Sequence, residues 1–555
     1  MLTPGLRGYL LEPAAGDHET TSNSTSRHRA TDLPPAALAA LAPSFTVVAE
    51  RGAPGSGARR LTWLDTFDWR LYRAGLVLEL EQARRGGRLL LSQADGPRQA
   101  EQPVTGWPPR RPAQDLPAGP VRDRIIGLIS PRALLPVVSA VAAVSAARLL
   151  NADGKTVARL TAERATVTAA GTTAELPLRL SVAEVRGYPA QARKAAALLA
   201  AVPGASPASQ IVFTAALTAL GRHPANYTNS VDAEITAEMP GSVAVARLLL
   251  RLLDTLELNV DGVLRDIDTE FLHDFRVAVR RTRSAIKLLG EVLPAADASH
   301  YAEEFKWLGD LTTPTRDLDV HLLGFAATTE HLLAADPADL EPFRAFLVSR
   351  RAREFRRLAA ALRSPRFGVI TDDWRKALLA VRDAGARKKR RQPTAAELAA
   401  RTTGRAFARI AAQGGAITPD SAPESLHNLR KRCKELRYLL EFFAPLHDPH
   451  LSRKVVGDLK QLQDCLGEFQ DSQVQREEIG TLADALLAEA LSGGPGVPAA
   501  TLLAMGEVAA RLAVSQAEAR ADFARRFARF AGPAARPRIS ALLAEPGPSE
   551  PTQTP

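Results

Sequence analysis

Hydrophobic and polar positions follow two different patterns in this chain, and the change falls near its middle. Between Phe45 and about Tyr188, short alternating or β-branched runs are separated by Gly, Pro and Asp, a pattern typical of β-strands. Beyond residue 239, apolar residues recur at helical spacing and charged residues lie on the opposite face. The pattern predicts an α+β multidomain protein, with an antiparallel β-rich domain at residues 36–202 followed by an all-α domain at residues 239–531.

Six runs are strand candidates, and Asp153-Gly154 is a favourable hairpin turn. A helix is predicted near Ala190–Ala201. Residues 203–238 contain four prolines and are predicted to be a linker with one apolar helix. The polar segment 1–35 and the proline-rich segment 532–555 are predicted to be disordered. The strand candidates are FTVVAE, LTWLDT, AGLVLELEQ, RLLLSQ, KTVARLTAERATV and LPLRLSVAEV.

The strongest helical pattern is at Leu272–Leu289, and it recurs 154 positions later at Leu426–Phe443. At about 100° per residue, basic side chains occupy one arc of each helix and apolar side chains the adjoining arc. Both helices are therefore predicted to be amphipathic, with one basic face each. The basic positions are His273, Arg276, Arg280, Arg283 and Lys287 in the first copy and His427, Arg430, Lys434 and Arg437 in the second.

The same offset continues beyond the basic helices, which indicates two homologous helical units. Each unit is predicted to be a basic helix, a short break near Pro294 or Pro445, and a second helix that ends in an acidic turn. Two such units are expected to pack as a pseudo-twofold helical bundle. The further matches are Lys306 with Lys460, Leu308 with Leu462, Asp310 with Asp464, Asp317 with Asp471, and Val320 with Val474.

Charge and cysteine content narrow the class of protein. The net charge of +10 favours an acidic partner such as nucleic acid, an anionic membrane surface or another polyanion. Two cysteines in 555 residues exclude a disulfide framework and fit a reducing cytoplasm; Cys433 and Cys465 are interpreted as core residues. The longest apolar run, Leu134–Ala147, is too short to span a bilayer, and the first residues lack the pattern of a secretion signal. A soluble, cytoplasmic protein without a membrane span is expected.

The order of the helical motifs resembles the conserved histidine α-helical domain (CHAD) over roughly residues 239–530. Both histidine helices and the segment Arg316–Val320 (RDLDV) occur in the order of that family. The resemblance implies an all-helical domain of two pseudo-symmetric four-helix bundles that binds inorganic polyphosphate along a basic surface. It also implies these binding positions: His273, Arg276, Arg280, Arg283, His427, Arg430, Lys434 and Arg437, with Lys287, Lys306 and Lys460 as additional candidates.

The segment Leu61–Gly75 (LTWLDTFDWRLYRAG) resembles a region of the CYTH family, the triphosphate tunnel enzymes. That family begins with a Glu-x-Glu-x-Lys strand whose carboxylates hold a divalent metal, and the first 60 residues contain no such triplet. Glu79 and Glu81 replace the family's phosphate-gripping arginines, the lysine strand reads LLLSQ, and the late glutamate strand keeps only Glu184. We therefore expect a tunnel-like shell without catalytic residues or metal ligands.

Without the resemblance, the basic helices allow two interpretations: an ordinary solvated face or an anion-binding face. Acids at i+4 are scarce on the first helix, so like charges repel at a cost of a few tenths of a kcal/mol per pair, and this repulsion recurs in the second copy. A row of guanidinium and ammonium groups suits a chain of phosphates. The two histidines could pack against a neighbour or contact phosphate. Similarly, Asp310, Asp317, Asp319, Asp464 and Asp471 could bind metal ions, although arginine pairing between helices is favoured.

A second basic cluster, Arg387–Arg391, is predicted to lie in a loop that supplements the polyanion surface. Aromatic residues make up 5% of the chain and none interleaves this cluster, so nucleic acid is a less favoured partner. Three hypotheses follow. The first is non-enzymatic polyphosphate binding, at polyphosphate granules. The second is a metal-dependent triphosphatase or polyphosphatase in the N-terminal domain, and the third is a general polyanion or nucleic-acid scaffold. No cofactor is predicted, and the pattern assigns no oligomeric state.

Overall fold

The structure is a computed structural model, and it divides the chain into two compact units with the boundary between Thr228 and Asn229. This boundary lies inside the segment 203–238 that the sequence predicts to be a linker. Each unit is described separately below. The described residues are 7–11, 33–50, 57–82, 86–94, 96–208, 211–229, 231–330, 332–387 and 393–543.

Within the described residues, the first unit is built on one antiparallel sheet of twelve strands. All six strand candidates are confirmed as strands or parts of them. The strands are β1 (Arg7–Leu11), β2 (Thr46–Ala49), β3 (Gly57–Asp65), β4 (Leu76–Gln82), β5 (Gly87–Gln93), β6 (Arg98–Val104), β7 (Arg111–Pro112), β8 (Ala133–Leu150), β9 (Thr156–Ala169), β10 (Thr172–Glu175), β11 (Leu178–Glu184) and β12 (Ala205–Pro207).

The main path of the sheet runs in the order β12, β1, β11, β9, β8, β3, β4, β5, β6. Strand β10 pairs with β9, whereas β2 and β7 pair with β8. The predicted hairpin turn at Asp153-Gly154 joins β8 to β9, and Gly154 has a φ of 72°, which a side chain would disfavour. The apolar run Leu134–Ala147 is therefore a sheet strand and not a helix.

Among the residues that the structure describes, five helices cover the sheet: α1 (Pro35–Leu41), α2 (Arg70–Arg73), α3 (Pro120–Ile129), α4 (Pro189–Ala200) and α5 (Val212–Ala219). Helices α1 and α4 bury Leu41 and Leu199 in one core with β8, β9 and β11. Helix α3 buries Ile125 in a second core with β4 and β5. Helix α5 buries Phe213 and Leu217 in a third core, which includes β3. The sheet faces are thus closed by apolar helical stripes, as expected for an α+β domain.

Two predictions about the ends of this unit are wrong. Strand β1 lies in the segment 1–35 for which disorder is predicted, and it pairs with both β11 and β12 because their edges supply its backbone partners. Strand β12 lies in the predicted linker but belongs to the sheet, whereas the apolar helix predicted in that segment is confirmed as α5, which packs into the apolar core. A five-residue and a three-residue strand are too short to show a period, so sequence alone did not reveal them. Residues 12–32 lie outside the described part.

The second unit is helical throughout its described elements, and no helix there or elsewhere in the described ranges is both long and apolar enough to cross a membrane. Short 3₁₀ turns at Gly290–Val292 and Ala444–Leu446 form the predicted breaks. The helices are α6 (Gly241–Leu264), α7 (Thr269–Leu289), α8 (Ala295–Leu323), α9 (Phe325–Glu330), α10 (Glu341–Leu362), α11 (Pro365–Arg387), α12 (Ala395–Gly415), α13 (Pro423–Phe442), α14 (Pro449–Leu491), α15 (Ala499–Ala531) and α16 (Arg536–Leu543).

The repeat predicted from sequence is confirmed, and it extends one helix further towards the N-terminus. Helices α12, α13 and α14 begin 154 positions after α6, α7 and α8 respectively. Helix α7 packs between α6 and α8, and α13 packs between α12 and α14. The two basic helices, α7 and α13, also contact each other. The unit is therefore a bundle of two equivalent halves joined at their basic helices.

Two further predictions about this unit need correction. The acidic residues do not end the second helix of each half: α8 continues past Asp319 to Leu323, and α14 continues past Asp471 to Leu491. The segment 532–555 is not wholly disordered, because α16 buries Ile539 and Leu542 and packs on α14. Residues 544–555 lie outside the described part.

Candidate functional site

The two basic helices are oriented by their apolar arcs. Helix α7 starts at Asp268, whose carboxylate accepts the backbone N–H groups of Glu270 and Phe271, a favourable N-cap. The apolar arc predicted for each helix is buried, which turns the basic arc away from the core. The buried positions are Leu272, Phe275, Val279, Ile286 and Leu289 on α7 and Leu426, Leu429, Cys433, Leu436 and Leu440 on α13.

Beside the basic arcs lie two adjoining cavities of about 550 and 590 Å³. Both contain residues of α7, α13 and α14, and the second also contains residues of α8. Because the cavities share several lining residues, they form one continuous cleft, which we call the basic groove. The shared residues are His273, Val277, Arg280, Arg430, Lys434 and Asp471.

Three of the arginines of α7 line the groove without an ion pair among the described residues, whereas Arg281 lines it and donates to Glu441 at 2.7 Å. Arg276 donates to the hydroxyl oxygens of Thr313 (2.8 Å) and Thr312 (3.3 Å), and it forms no ion pair among the described residues, although Asp317 lies close enough to attract it electrostatically. Arg280 is exposed, with its guanidinium 5.9 Å from the ring centroid of Tyr438. Arg283 is also exposed. This row therefore presents three unneutralised guanidinium groups.

The absence of a side chain at Gly309 of α8 makes room for Arg283 of α7. The guanidinium of Arg283 lies against Gly309, where an added Cβ would be 2.8 Å from Nη1. A side chain at this position would force the arginine to move. The glycine thus lets the guanidinium of Arg283 approach the α8 backbone closely inside the groove.

The cations of α13 are held differently. Arg430 donates to Asp471 at 2.8 Å, and Arg437 donates to Glu441 at 2.7 Å. Lys434, which follows Arg430 by one helical turn, forms no ion pair within the described part of the chain. The second row therefore contains two acid-paired arginines and one unneutralised lysine.

The pKa of Lys434 is lowered to about 8. Burial is the largest cause, followed by the positive charges of Arg430 and Arg280, while Asp471 acts in the opposite direction. Burial likewise lowers the pKa of Arg276, and Asp317 partly opposes this shift. Burial first, and the neighbouring positive charges second, therefore disfavour protonation of the groove lysine.

Four of the predicted binding positions do not line the groove. Lys287 forms an ion pair with Glu435 at 2.7 Å, and this pair links the two basic helices. His427 is half-buried, with an Nδ1 atom that has no hydrogen-bond partner among the described atoms. Lys306 and Lys460 are exposed at equivalent positions of α8 and α14, away from the cavity lining. His273, by contrast, lies on the groove wall, as do Arg276, Arg280, Arg283, Arg430, Lys434 and Arg437.

Of the carboxylates for which arginine pairing is predicted, Asp319 and Asp471 are confirmed. Asp319 accepts from Arg351 at 2.8 Å, and the same guanidinium donates to both oxygens of Asp266 at 2.6 Å. This network joins α8, α10 and the loop after α6. Asp317 has no ion pair among described residues, and burial raises its pKa. Across the described ranges, no group of three or more His, Cys, Asp and Glu side chains is placed to hold a metal ion.

Several lining residues were not identified from the sequence. Arg316 reaches the groove from α8. It is the first residue of the RDLDV segment, and that motif is the sequence signal that could have identified it. Thr312 and Thr313 hold Arg276, and Tyr438 underlies Arg280. These contacts join residues far apart in the chain, so no local pattern indicates them. The basic cluster at Arg387–Arg391 lies outside the described residues except for the last backbone position of α11.

In the first unit, the positions that replace the expected tunnel ligands have structural partners. Glu81 accepts from Arg59 at 2.8 Å and from Arg88 at 2.5 Å, so its charge is balanced. Burial raises the pKa of Glu79. Beside this region, Phe213 of α5 stacks on Trp63 of β3 with centroids 5.7 Å apart. Helix α5 therefore fills part of the sheet face that carries the two glutamates.

Comparison with known proteins finds a family match within the helical unit. Residues 247–480 match the family model described as the CHAD domain. The solved structures that are similar to this chain include the following two. The crystal structure of the CHAD domain from the plant Ricinus communis is 25% identical, with 57% of this chain and 98% of that chain covered and a TM-score of 0.45. PptA from Streptomyces chartreusis is 16% identical, with 52% and 99% covered and a TM-score of 0.40. No curated protein matches the chain.

Proposed function

Because this chain contains a CHAD domain at residues 247–480, we propose that it binds inorganic polyphosphate in the basic groove without catalysing a reaction. Polyphosphate is the ligand that the resemblance of the histidine helices implies. The rows of α7 and α13 contact successive phosphates of one chain in this proposal. The protein is further proposed to be cytoplasmic and to associate with polyphosphate granules.

The observation that carries the proposal is the continuity of the groove between the two basic helices. Arg276, Arg280, Arg283 and Lys434 share it, and none has an ion pair within the described residues. Gathered like charges repel each other, so a ligand that supplies several negative charges along one line relieves that repulsion. Each guanidinium offers a planar fork of donors that matches phosphate oxygens, and each such charge-assisted bond is stronger than a neutral one.

The lining favours a polyanion without bases over nucleic acid. Nonspecific binding of single strands relies on aromatic side chains on which bases stack. Of the described groove residues, Tyr438 is the one with an aromatic ring of this kind, and it is buried beneath Arg280. A chain of phosphates needs only cations, which the groove supplies.

Titration of the full chain with long-chain polyphosphate tests the proposal. We expect saturable binding that weakens steeply with salt, because each neutralised phosphate releases condensed counterions. In the same buffer, single-stranded DNA is added as a competitor at equal phosphate concentration. Polyphosphate binding should persist. If DNA displaces it at an equivalent phosphate concentration, the groove is a general polyanion surface; if no saturable binding occurs, the proposed function is wrong.

We also propose that the first unit does not hydrolyse triphosphate, because the sheet carries Glu79 and an ion-paired Glu81 at the positions expected to grip phosphates. Phosphate release from tripolyphosphate is followed with Mg²⁺ and with Mn²⁺. The expected rate is that of the buffer. Metal-dependent turnover that disappears when residues 1–228 are deleted would favour the triphosphatase hypothesis.

A further inference from the structure

The two halves of the basic groove differ at equivalent positions. The offset of 154 residues relates Arg276 to Arg430 and Thr313 to Gly467. Arg276 donates to neutral threonine hydroxyls; Asp317, the counterpart of Asp471, also lines the groove and attracts Arg276 electrostatically, but it forms no ion pair with it among the described residues. At Gly467 there is no hydroxyl, and Arg430 donates to the carboxylate of Asp471 instead. Equivalent arginines are therefore fixed by a neutral group in one half and by an anion in the other.

A second pair of equivalent positions shows the same difference. Arg283 lies on Gly309 and forms no ion pair among the described residues, whereas its counterpart Arg437 donates to Glu441 at 2.7 Å. The α7 row is thus free to receive phosphates at once. On the α13 row, two of three cations already hold a carboxylate.

Asp471 is placed to compete with a ligand. Its side chain is 58% exposed and lines both cavities that make up the groove, and it contacts the more buried Arg430 (18% exposed). A phosphate that binds Arg430 must therefore displace or share this carboxylate. Phosphates that bind only Arg276, Arg280 and Arg283 need not do so.

We infer that Asp471 is a specificity-determining residue that makes the groove discriminate polyphosphate by chain length. Short chains bind the α7 row and leave the Arg430–Asp471 pair intact. Only a chain that continues from the α7 row onto α13 has the further phosphates needed to replace Asp471 at Arg430. This inference rests on the proposed function and adds a ligand class to it: long chains, bound across both rows.

The test uses the full chain and the variant Asp471→Asn, which keeps the side-chain size but removes the competing charge. The matched control is Asp464→Asn, because Asp464 is exposed, lies two turns earlier on α14, lines the groove and has no ion pair in the described part. Both variants change the net charge equally. Binding of long-chain polyphosphate and of tripolyphosphate is measured for each protein at one ionic strength.

We expect Asp471→Asn to strengthen long-chain binding by about fivefold more than the control does, the size expected for one partly exposed ion pair. Tripolyphosphate affinity should match that of the control. Equal strengthening for both ligands, or no strengthening of long chains, overturns the inference while the proposed function stands. A wild-type protein that binds neither ligand overturns both.

Discussion

Removing the charges of Arg280 and Lys434 should abolish most of the affinity for polyphosphate. Both residues line the two cavities of the basic groove, one from each repeat, and neither has an ion pair among the described residues. The variant Arg280→Gln with Lys434→Gln keeps long, helix-favouring side chains. Helical content should therefore remain that of the wild type.

The magnitude follows from the contacts that are lost. A hydrogen bond to a charged group contributes about 1.5–3 kcal/mol. Because Arg280 is exposed, the lower value is appropriate, and two such bonds give about 3 kcal/mol, or a loss of roughly 100-fold in affinity. For single strands the salt slope is about 0.7 per phosphate contact, so the slope should fall by about 1.4.

The matched control is Lys306→Gln with Lys460→Gln. These lysines are equivalent in the two repeats, exposed and outside the groove lining, and the net charge changes by the same amount. Affinity is measured by titration at several salt concentrations, and fold by circular dichroism. The control should bind nearly as the wild type does. If both double variants lose affinity equally, net charge and not the groove determines binding, and the reasoning fails.

Three further predictions concern the helical unit. Polyphosphate affinity should fall as pH rises above about 8, because Lys434 loses its proton there in the free protein, whereas a bound phosphate raises the pKa of Lys434. Binding at pH 8.5 should therefore take up protons, which calorimetry in two buffers measures. This proton uptake should vanish in the variant Lys434→Arg. The fragment 229–543 should unfold at a higher temperature than the fragment 229–531, because α16 adds the buried side chains of Ile539 and Leu542. Equal midpoints of thermal unfolding for the two fragments would mean that α16 contributes nothing to stability. Gly262→Ala should destabilise the unit by about 1–3 kcal/mol, since the added Cβ would lie 2.0 Å from the ring of Phe271. The control Gly368→Ala, at an exposed helical position, should stabilise the unit by up to about 1 kcal/mol. Chemical denaturation measures both variants, and similar effects would show that the added Cβ does not clash with Phe271.

Local periodicity was enough to predict most elements and the repeat. The basic and apolar arcs of α7 and α13, their breaks and the six predicted strands (β2, β3, β4, β5, β9 and β11) follow from side-chain spacing within a few residues, which is a property of the chain itself. The Arg437–Glu441 pair is similarly local, one helical turn apart. The predictions failed for β1, β12 and α16, which are short and are stabilised by distant partners.

The tertiary structure decided which cations share the groove and which are neutralised. The sequence repeat makes Arg276 and Arg430 equivalent positions. Packing, however, places a threonine hydroxyl against Arg276 and places the carboxylate of Asp471, 41 residues away, against Arg430. It also places Lys287 against Glu435, 148 residues distant, and leaves Lys306 and Lys460 outside the groove. Sequence determined the faces of the helices because helical spacing is local. The charge that remains available to a ligand depends on contacts between helices, and only folding brings those together.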